Sequence, residues 1–286
     1  MNSKLSFYLR IMAGLFGLFF GAGCSPTSES IKMKGSDTEV NLAVNLAEKF
    51  TKQDPDFNIA ISGGGSGLGI TSLLNGQADI ANSSRPLSAE EIEQFKQKKI
   101  AIRTVVFAED ATAFIVHRDL PLEEIDLETL GKVLSGQLRN WSEITSVNLP
   151  INIYGRQSSS GTHSFVKKKL AIEFSTAAKE MTGNAQIIEG VKADRSGIGY
   201  VGAGYVAHDP HAVQYIKILK IKETKAGAAV SPVDPGAIKQ RLYFFQRPLY
   251  QYVLSSSWEK VAPFIQFEKG AIGQSVIEAH GYYLIN

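Results

Sequence analysis

Three loops rich in glycine, serine and threonine each come directly before a helical apolar pattern in this chain: Gly35–Thr38, Ser62–Gly69 and Arg156–Thr162. A helix start leaves its first N–H groups unpaired and carries about half a positive charge, so it favours anions. Hydroxyl groups add neutral donors, and Arg156 adds a planar charged fork. One such loop is explained as well by an ordinary helix cap. Three together predict a site for a small tetrahedral oxyanion.

A fourth polar segment, Asn75–Leu87, places Arg85 in a turn after a short predicted strand. Ser88 and Glu91 follow with the spacing of a capping box, which predicts another helix. Arg85 has two interpretations from the sequence. It either joins the anion site or pairs at the surface with Asp79 or a nearby glutamate.

Short β-like runs alternate with amphipathic or helix-signalled stretches along the chain. This alternation predicts an α/β fold. The predicted strands are Asn58–Ile61, Ile100–Phe107, Ala113–Val116, Ile151–Tyr154, Gly199–Val201 and Gln214–Ile218.

The composition excludes several classes of protein. With 286 residues, 44% hydrophobic and 20% charged, the chain is long enough for a large core and is not typical of a disordered or polytopic membrane protein. The net charge is +2, and the two excess charges are Lys4 and Arg10 near the start. Because nucleic-acid binders usually carry a strong basic excess, no nucleic-acid partner is expected.

The first thirty residues have the pattern of an export signal. Charged residues, a short apolar run and small residues lead to Cys24, which predicts a signal peptide over residues 1–23. Cys24 is the single cysteine of the chain, so it forms no internal disulfide. Its position resembles the lipidation site of bacterial lipoproteins, which implies a lipidated cysteine and flexible tether over residues 24–30. The protein is then exported and attached to a membrane, in the periplasm or at the cell surface. A spare thiol is the alternative.

Four segments together resemble the phosphate-binding proteins of bacterial ABC phosphate importers, which are type II periplasmic binding proteins. The segments are Gly35–Thr38, Gly63–Gly67, Asp79–Leu87 and Gly155–Thr162. The resemblance implies an α/β fold of two lobes, with a two-strand hinge and the ligand in the cleft between them. Lobe 1 comprises residues 31–112 and 247–286, and lobe 2 comprises residues 113–246.

The same resemblance implies the function and the site residues. The protein is expected to bind inorganic phosphate as a monomer and to deliver it to an ABC permease, without chemistry, metal or cofactor. Well-studied members have an aspartate at the position of Ser84, where it accepts the proton of hydrogen phosphate. Asp37 is the candidate acceptor here. The predicted phosphate-binding residues are Ser36, Asp37, Thr38, Ser66, Ser84, Arg85, Arg156, Ser160, Gly161 and Thr162.

Other functions remain open at this point. A serine at position 84 leaves another tetrahedral oxyanion such as sulfate as an alternative ligand, and a phosphate-sensing lipoprotein would use the same site. A serine hydrolase is disfavoured because the G-x-S-x-G pattern is absent. The pair His208 and His211 flanks Pro210, which favours a solvated turn over a metal site.

Overall fold

The computed structural model of the protein describes residues 30–207 and 211–285. The predicted signal peptide, Cys24, most of the tether and His208 lie outside these residues. None of the helices in the two described ranges is long and apolar enough to cross a membrane.

Twelve strands are described, and nine of them form one sheet. Its order is β2-β1-β3-β12-β4-β8-β6-β7, with β9 paired to β4, and a smaller sheet has the order β11-β10-β5. Parallel pairs lie towards both ends of the large sheet, and antiparallel pairs lie at its centre. The strands are β1 Ser30–Gly35, β2 Asn58–Ser62, β3 Ile80–Ser83, β4 Ile102–His117, β5 Glu124–Asp126, β6 Asn152–Arg156, β7 Lys179–Met181, β8 Gly197–Gly202, β9 Ile216–Ile218, β10 Lys220–Lys222, β11 Ala229–Val230 and β12 Gln246–Leu254.

Helices connect most of these strands, and the predicted capping box is present where Ser88 and Glu91 begin one of them. Two short 3₁₀ turns, Trp141–Glu143 and Ser255–Ser257, complete the described elements. The α-helices are α1 Val40–Gln53, α2 Ser66–Leu74, α3 Ala89–Gln97, α4 Leu127–Leu134, α5 Gly161–Leu170, α6 Asn184–Ala193, α7 Ala203–Ala207, α8 Pro235–Lys239, α9 Trp258–Lys269 and α10 Ala271–Ala279. This α/β architecture confirms the predicted fold class.

The long strand β4 joins the two halves of the sheet. Its residues 102–111 pair with β12, whereas residues 112–117 pair with β8 and β9. The prediction of two separate strands, Ile100–Phe107 and Ala113–Val116, was wrong because the strand continues through Asp110. That buried carboxylate is accommodated because Arg247 of β12 lies directly opposite and pairs with it.

Two large hydrophobic clusters divide along this shared pair of strands. The first core packs α1, α9 and α10 on the sheet around residues such as Met33, Leu46 and Phe264. The second core contains Phe114 and Tyr200 and packs mainly the segments between β4 and β12. Each half therefore buries its own apolar surface, and β4 and β12 run from one core to the other.

Glu268 is a buried acid of the first core whose ionisation opposes folding. Its Oε1 accepts a hydrogen bond of 2.9 Å from Gln251 Nε2, and burial raises its pKa to about 8. In the unfolded chain the carboxyl ionises near its ordinary pKa of about 4.3, so between that value and about 8 only the unfolded state releases the proton. Raising the pH through this window therefore lowers stability.

We expect Glu268→Gln to raise the melting temperature, because glutamine keeps the acceptor and cannot ionise. The gain over wild type should be small near pH 5, at least about 2 °C near pH 8, and should grow between these values. Thermal unfolding across this range measures it. Glu259→Gln on the exposed side of the same helix is the control. A gain from Glu268→Gln that does not change with pH would contradict the assignment.

Candidate anion-binding site

The ends of two neighbouring parallel strands bring the first polar residues together. Ser36 directly follows β1 and Ser84 directly follows β3, and their hydroxyl oxygens are 3.2 Å apart. The hydroxyl oxygen of Ser66, at the start of α2, lies 3.4 Å from the hydroxyl oxygen of Ser84. The carboxyl ends of adjacent parallel strands are the usual place for a ligand in open α/β sheets.

The second half of the molecule contributes the start of α5 to the same place. The Thr162 hydroxyl lies 3.0 Å from the Thr38 hydroxyl, although the two residues belong to opposite halves. Gly161 packs against Ser66 and Ser84 so closely that an added Cβ would lie 2.6 Å from the Ser84 hydroxyl. Five side chains thus form what we call the hydroxyl cluster, and all are buried: Ser36, Thr38, Ser66, Ser84 and Thr162.

Ser160 caps α5 beside this cluster. Its hydroxyl accepts a hydrogen bond of 3.3 Å from the backbone N–H of His163, as expected for an N-cap residue. The ring of His163 packs on Phe174 instead, with centroids 4.6 Å apart. The histidine ring is therefore not positioned as a base for the Ser160 hydroxyl.

Arg156 ends β6 with its side chain only 1% exposed. Its Nη2 donates to the carbonyl of Thr182 at 3.0 Å, and its Nη1 lies 3.6 Å from Asp37 Oδ2. Its Nε and Nη1 have no hydrogen-bond acceptor among the described residues. Burial lowers the pKa of this guanidinium and Asp37 raises it, but an arginine stays charged. A buried cation with two unused donor atoms is suited to an incoming anion.

Asp37 links the loop after β1 to the other half of the protein. Its Oδ2 accepts from the backbone N–H of Asn184 at 2.7 Å and from the Asn184 side chain at 3.0 Å. The same side chain also donates to the Asp37 carbonyl at 3.2 Å. The predicted proton acceptor thus lies at the site, but one of its oxygens already accepts two hydrogen bonds.

Two further hydrogen bonds, one from a backbone N–H and one from the Gln157 side chain, connect the halves around the cluster. Gly67 N–H donates to the carbonyl of Ser159 at 2.9 Å, and Gln157 donates to the carbonyl of Gly64 at 3.0 Å. Gly65 has a φ of 110°, and an added Cβ there would lie 3.0 Å from the Ser159 carbonyl. Only glycine is compatible with this close approach.

The structure does not bring the Arg85 side chain to the cluster. Its Nη1 and Nη2 instead form two hydrogen bonds of 2.7 Å to the carboxylate of Glu91, which also caps α3. Burial opposes ionisation of Glu91, but Arg85 and Ser88 hold its pKa below the ordinary value. Of the two interpretations, the geometry of Arg85 fits an ion pair, and its partner is Glu91. The other candidate partner, Asp79, pairs with Lys260 instead.

Arg247 and Asp110 form a buried pair at the site that sequence reasoning missed. Arg247 Nη2 donates to Asp110 Oδ2 at 2.8 Å and to the Thr162 hydroxyl at 3.1 Å, and it lies 3.4 Å from the Thr38 hydroxyl. The two charged residues are 137 positions apart in the chain. The available signal was a charged residue inside each of two strands, Asp110 in β4 and Arg247 in β12.

Glu39 at the start of α1 is fully buried behind these residues. Burial raises the pKa of its carboxyl well above the ordinary value, while Ser36 and Arg247 act in the opposite direction. A neutral Glu39 adds no negative charge next to an anion site. Among the described residues, no three histidine, cysteine or acidic side chains form a metal-binding group.

Most of the chain is similar in sequence or fold to known proteins. A family model for the PBP superfamily domain matches residues 21–267. The chain is similar to the phosphate-binding protein PstS of Borreliella burgdorferi, with 27% identity over 261 residues that cover 88% of each protein. Its fold is similar to a substrate-binding protein with bound phosphate from Clostridium perfringens (TM-score 0.79, 22% identity, 90% of this chain and 100% of that one). It is also similar to an ABC-type phosphate transport receptor from Vibrio cholerae (TM-score 0.68, 25% identity, 89% and 100%). The family match spans the buried residues of the second core and most of those of the first.

Proposed function

Because the chain belongs to the PBP superfamily, we propose that it captures inorganic phosphate at the hydroxyl cluster and delivers it to an ABC permease. One observation carries the proposal: hydroxyls from both halves converge beside Arg156, a buried guanidinium with unused donors. Neutral hydroxyls, helix-start amides and arginine are the groups that bind an oxyanion away from water. The names of the similar proteins, which bind or transport phosphate, support the choice of anion.

Hydrogen bonding, not net charge, holds the anion in this proposal. Arg156 faces Asp37, and Arg247 faces Asp110, so the nearby charges cancel in pairs. A small anion in a water-poor cleft is then stabilised by many directed donors. The proposed role is binding and delivery without chemistry, and the packing of His163 on Phe174 rather than beside the Ser160 hydroxyl is consistent with that role.

Calorimetric titration of the anion-stripped mature protein with phosphate, and separately with sulfate, tests the proposal. We expect tight binding of one phosphate per chain. Weak or absent sulfate binding would indicate a carboxylate that accepts the phosphate proton. Equal binding of both anions would support the alternative of a broad oxyanion site, and binding of neither would contradict the proposal.

Asp37→Asn is expected to weaken phosphate binding by about tenfold and to reduce the preference over sulfate. The carboxylate only accepts hydrogen bonds, so it discriminates for a protonated anion, whereas an amide can also donate. The same change weakens the contacts to Asn184. Asp56→Asn on the exposed surface is the control. If affinity and selectivity are unchanged, a group other than Asp37 accepts the proton of the bound phosphate.

The proposal includes two lobes that close on the anion. Residues 31–112 and 247–286 form lobe 1, residues 113–246 form lobe 2, and β4 and β12 connect them. The separate cores support relative motion of the halves, and the polar contacts across the cluster are the ones that closing would form. Closing brings Thr38 and Thr162 to the same anion.

We also propose where the protein acts in the cell and in which oligomeric state. The chain acts as an exported monomer, and a lipid on Cys24 attaches it to a membrane in the periplasm or at the cell surface, near its permease. The signal-like first 23 residues and the lone cysteine support this. Mass spectrometry of the mature N-terminus tests it, and an unmodified Cys24 would contradict the anchor.

A further inference from the structure

We propose that Arg247 is a second guanidinium that contacts the bound anion and contributes to its affinity. This inference rests on the proposed phosphate site. Arg247 begins the buried part of β12, one of the two strands that connect the cores. Its side chain is 2% exposed, and it touches one hydroxyl from each half of the cleft.

The geometry of the guanidinium determines which of its donors face the cluster. A guanidinium has two edges of paired donors in one plane. The Nε/Nη2 edge faces Asp110, with distances of 3.1 and 2.8 Å to the same carboxylate oxygen. The second N–H of Nη2 lies on the other edge, beside Nη1, and its acceptors are the Thr162 and Thr38 hydroxyls. The Nη1/Nη2 edge therefore faces the threonine side of the site.

Nη1 on that edge is buried and has no hydrogen-bond partner among the described residues. A buried donor without an acceptor costs free energy, and more when it belongs to a charged group. The Thr38 and Thr162 hydroxyls accept from Nη2 of this edge, and Nη1 is left without an acceptor. An oxyanion between Thr38 and Thr162 would accept from both Nη1 and Nη2 in the two-point geometry that arginine forms with phosphate.

The surrounding residues hold Arg247 ready for this contact. Asp110 is fully buried, and the Phe165 ring of α5 lies 5.1 Å from the guanidinium carbon in cation–π geometry. A fixed side chain loses little freedom when the anion binds. Because its two hydroxyl partners come from opposite halves, Arg247 completes the site when the cleft is closed.

The test separates contact with the anion from simple neutralisation of Asp110. Phosphate affinity is measured by calorimetry for wild type, Arg247→Gln, and the double variant Arg247→Gln with Asp110→Asn. We expect both variants to bind phosphate at least about tenfold more weakly than wild type, since both lose the charged donor. Arg241→Gln is the control, because the side chain of Arg241 is 68% exposed and pairs with Glu109.

Two outcomes would overturn the proposal. Affinity restored to wild type in the double variant would overturn the proposal, because Arg247 would then only balance the Asp110 charge. Wild-type affinity in Arg247→Gln would overturn it as well. If the single variant does not fold, the double variant, which has no unpaired buried charge, decides the question alone. Failure of the wild-type protein to bind phosphate would instead contradict the proposed function, and this inference with it.

Discussion

Arg156→Ala is expected to weaken phosphate binding by about 1.5–3 kcal/mol, the usual contribution of a hydrogen bond to a charged group. This corresponds to about 10- to 150-fold in affinity. Two of the donor atoms of Arg156 have no acceptor in the described protein, so a bound anion is their natural partner. Its loss would also leave the Asp37 carboxylate facing the site without its cation.

Calorimetry of the two proteins at equal pH and salt measures this change. Arg195→Ala provides the matched control, because Arg195 lies in the same half with a side chain 70% exposed and pairs only with a surface aspartate. The melting temperature without anion must be similar in the variants for the comparison to hold. An Arg156→Ala protein that binds phosphate as tightly as wild type would remove this loop from the site.

Gly161→Ala is expected to weaken phosphate binding by a similar amount through a different cause. A methyl group at position 161 would lie 2.6 Å from the Ser84 hydroxyl and even closer to that of Ser66, both in the other half of the protein. The crowding exists only when the halves are closed. Overpacking of this kind costs about 1–3 kcal/mol, and we expect it to destabilise the closed, anion-bound state relative to the open state.

The folding of each half should be almost unaffected by this change, since alanine is favourable in a helix. Gly131→Ala in α4 is the control, because an added Cβ there meets a methyl group of Ile172 at an ordinary 3.6 Å. We therefore expect Gly161→Ala to lose affinity while keeping its melting temperature, and Gly131→Ala to keep both. Full affinity in the Gly161 variant would mean that the cleft closes differently.

The fold class and the convergence of most of the candidate site residues were predictable because their signals are local. A strand, a glycine-rich turn and a helix start follow one another within about ten residues, as at Ser62–Gly69 and Arg156–Thr162. Within the first half these loops meet because β1, β2 and β3 are parallel and end at the same edge, and the start of α5 from the other half packs against Ser66 and Ser84 there. Of the predicted set, Ser36, Thr38, Ser66, Ser84 and Thr162 form the cluster, and Arg156, Asp37, Ser160 and Gly161 adjoin it.

The contacts that the sequence did not indicate join distant residues. Arg247 and Asp110 meet only because β12 pairs with β4 in one register, and no local pattern determines that register. Asn184 likewise donates to two acceptor atoms of Asp37, a residue 147 positions away in the chain. Arg85 is a local case: Glu91, six residues later, accepts two hydrogen bonds from its guanidinium, as the alternative of a nearby glutamate predicted, and a role of Arg85 at the anion stays a prediction.

A crystal structure of the mature protein with phosphate at about one equivalent locates the bound anion. We expect one tetrahedral anion between the two halves, within hydrogen-bond distance of Thr38, Ser66 and Thr162 and of the Arg156 guanidinium. The Arg247 edge beside Thr162 should also reach it. Phosphate bound elsewhere, with the hydroxyl cluster unchanged and closed on itself, would contradict the account.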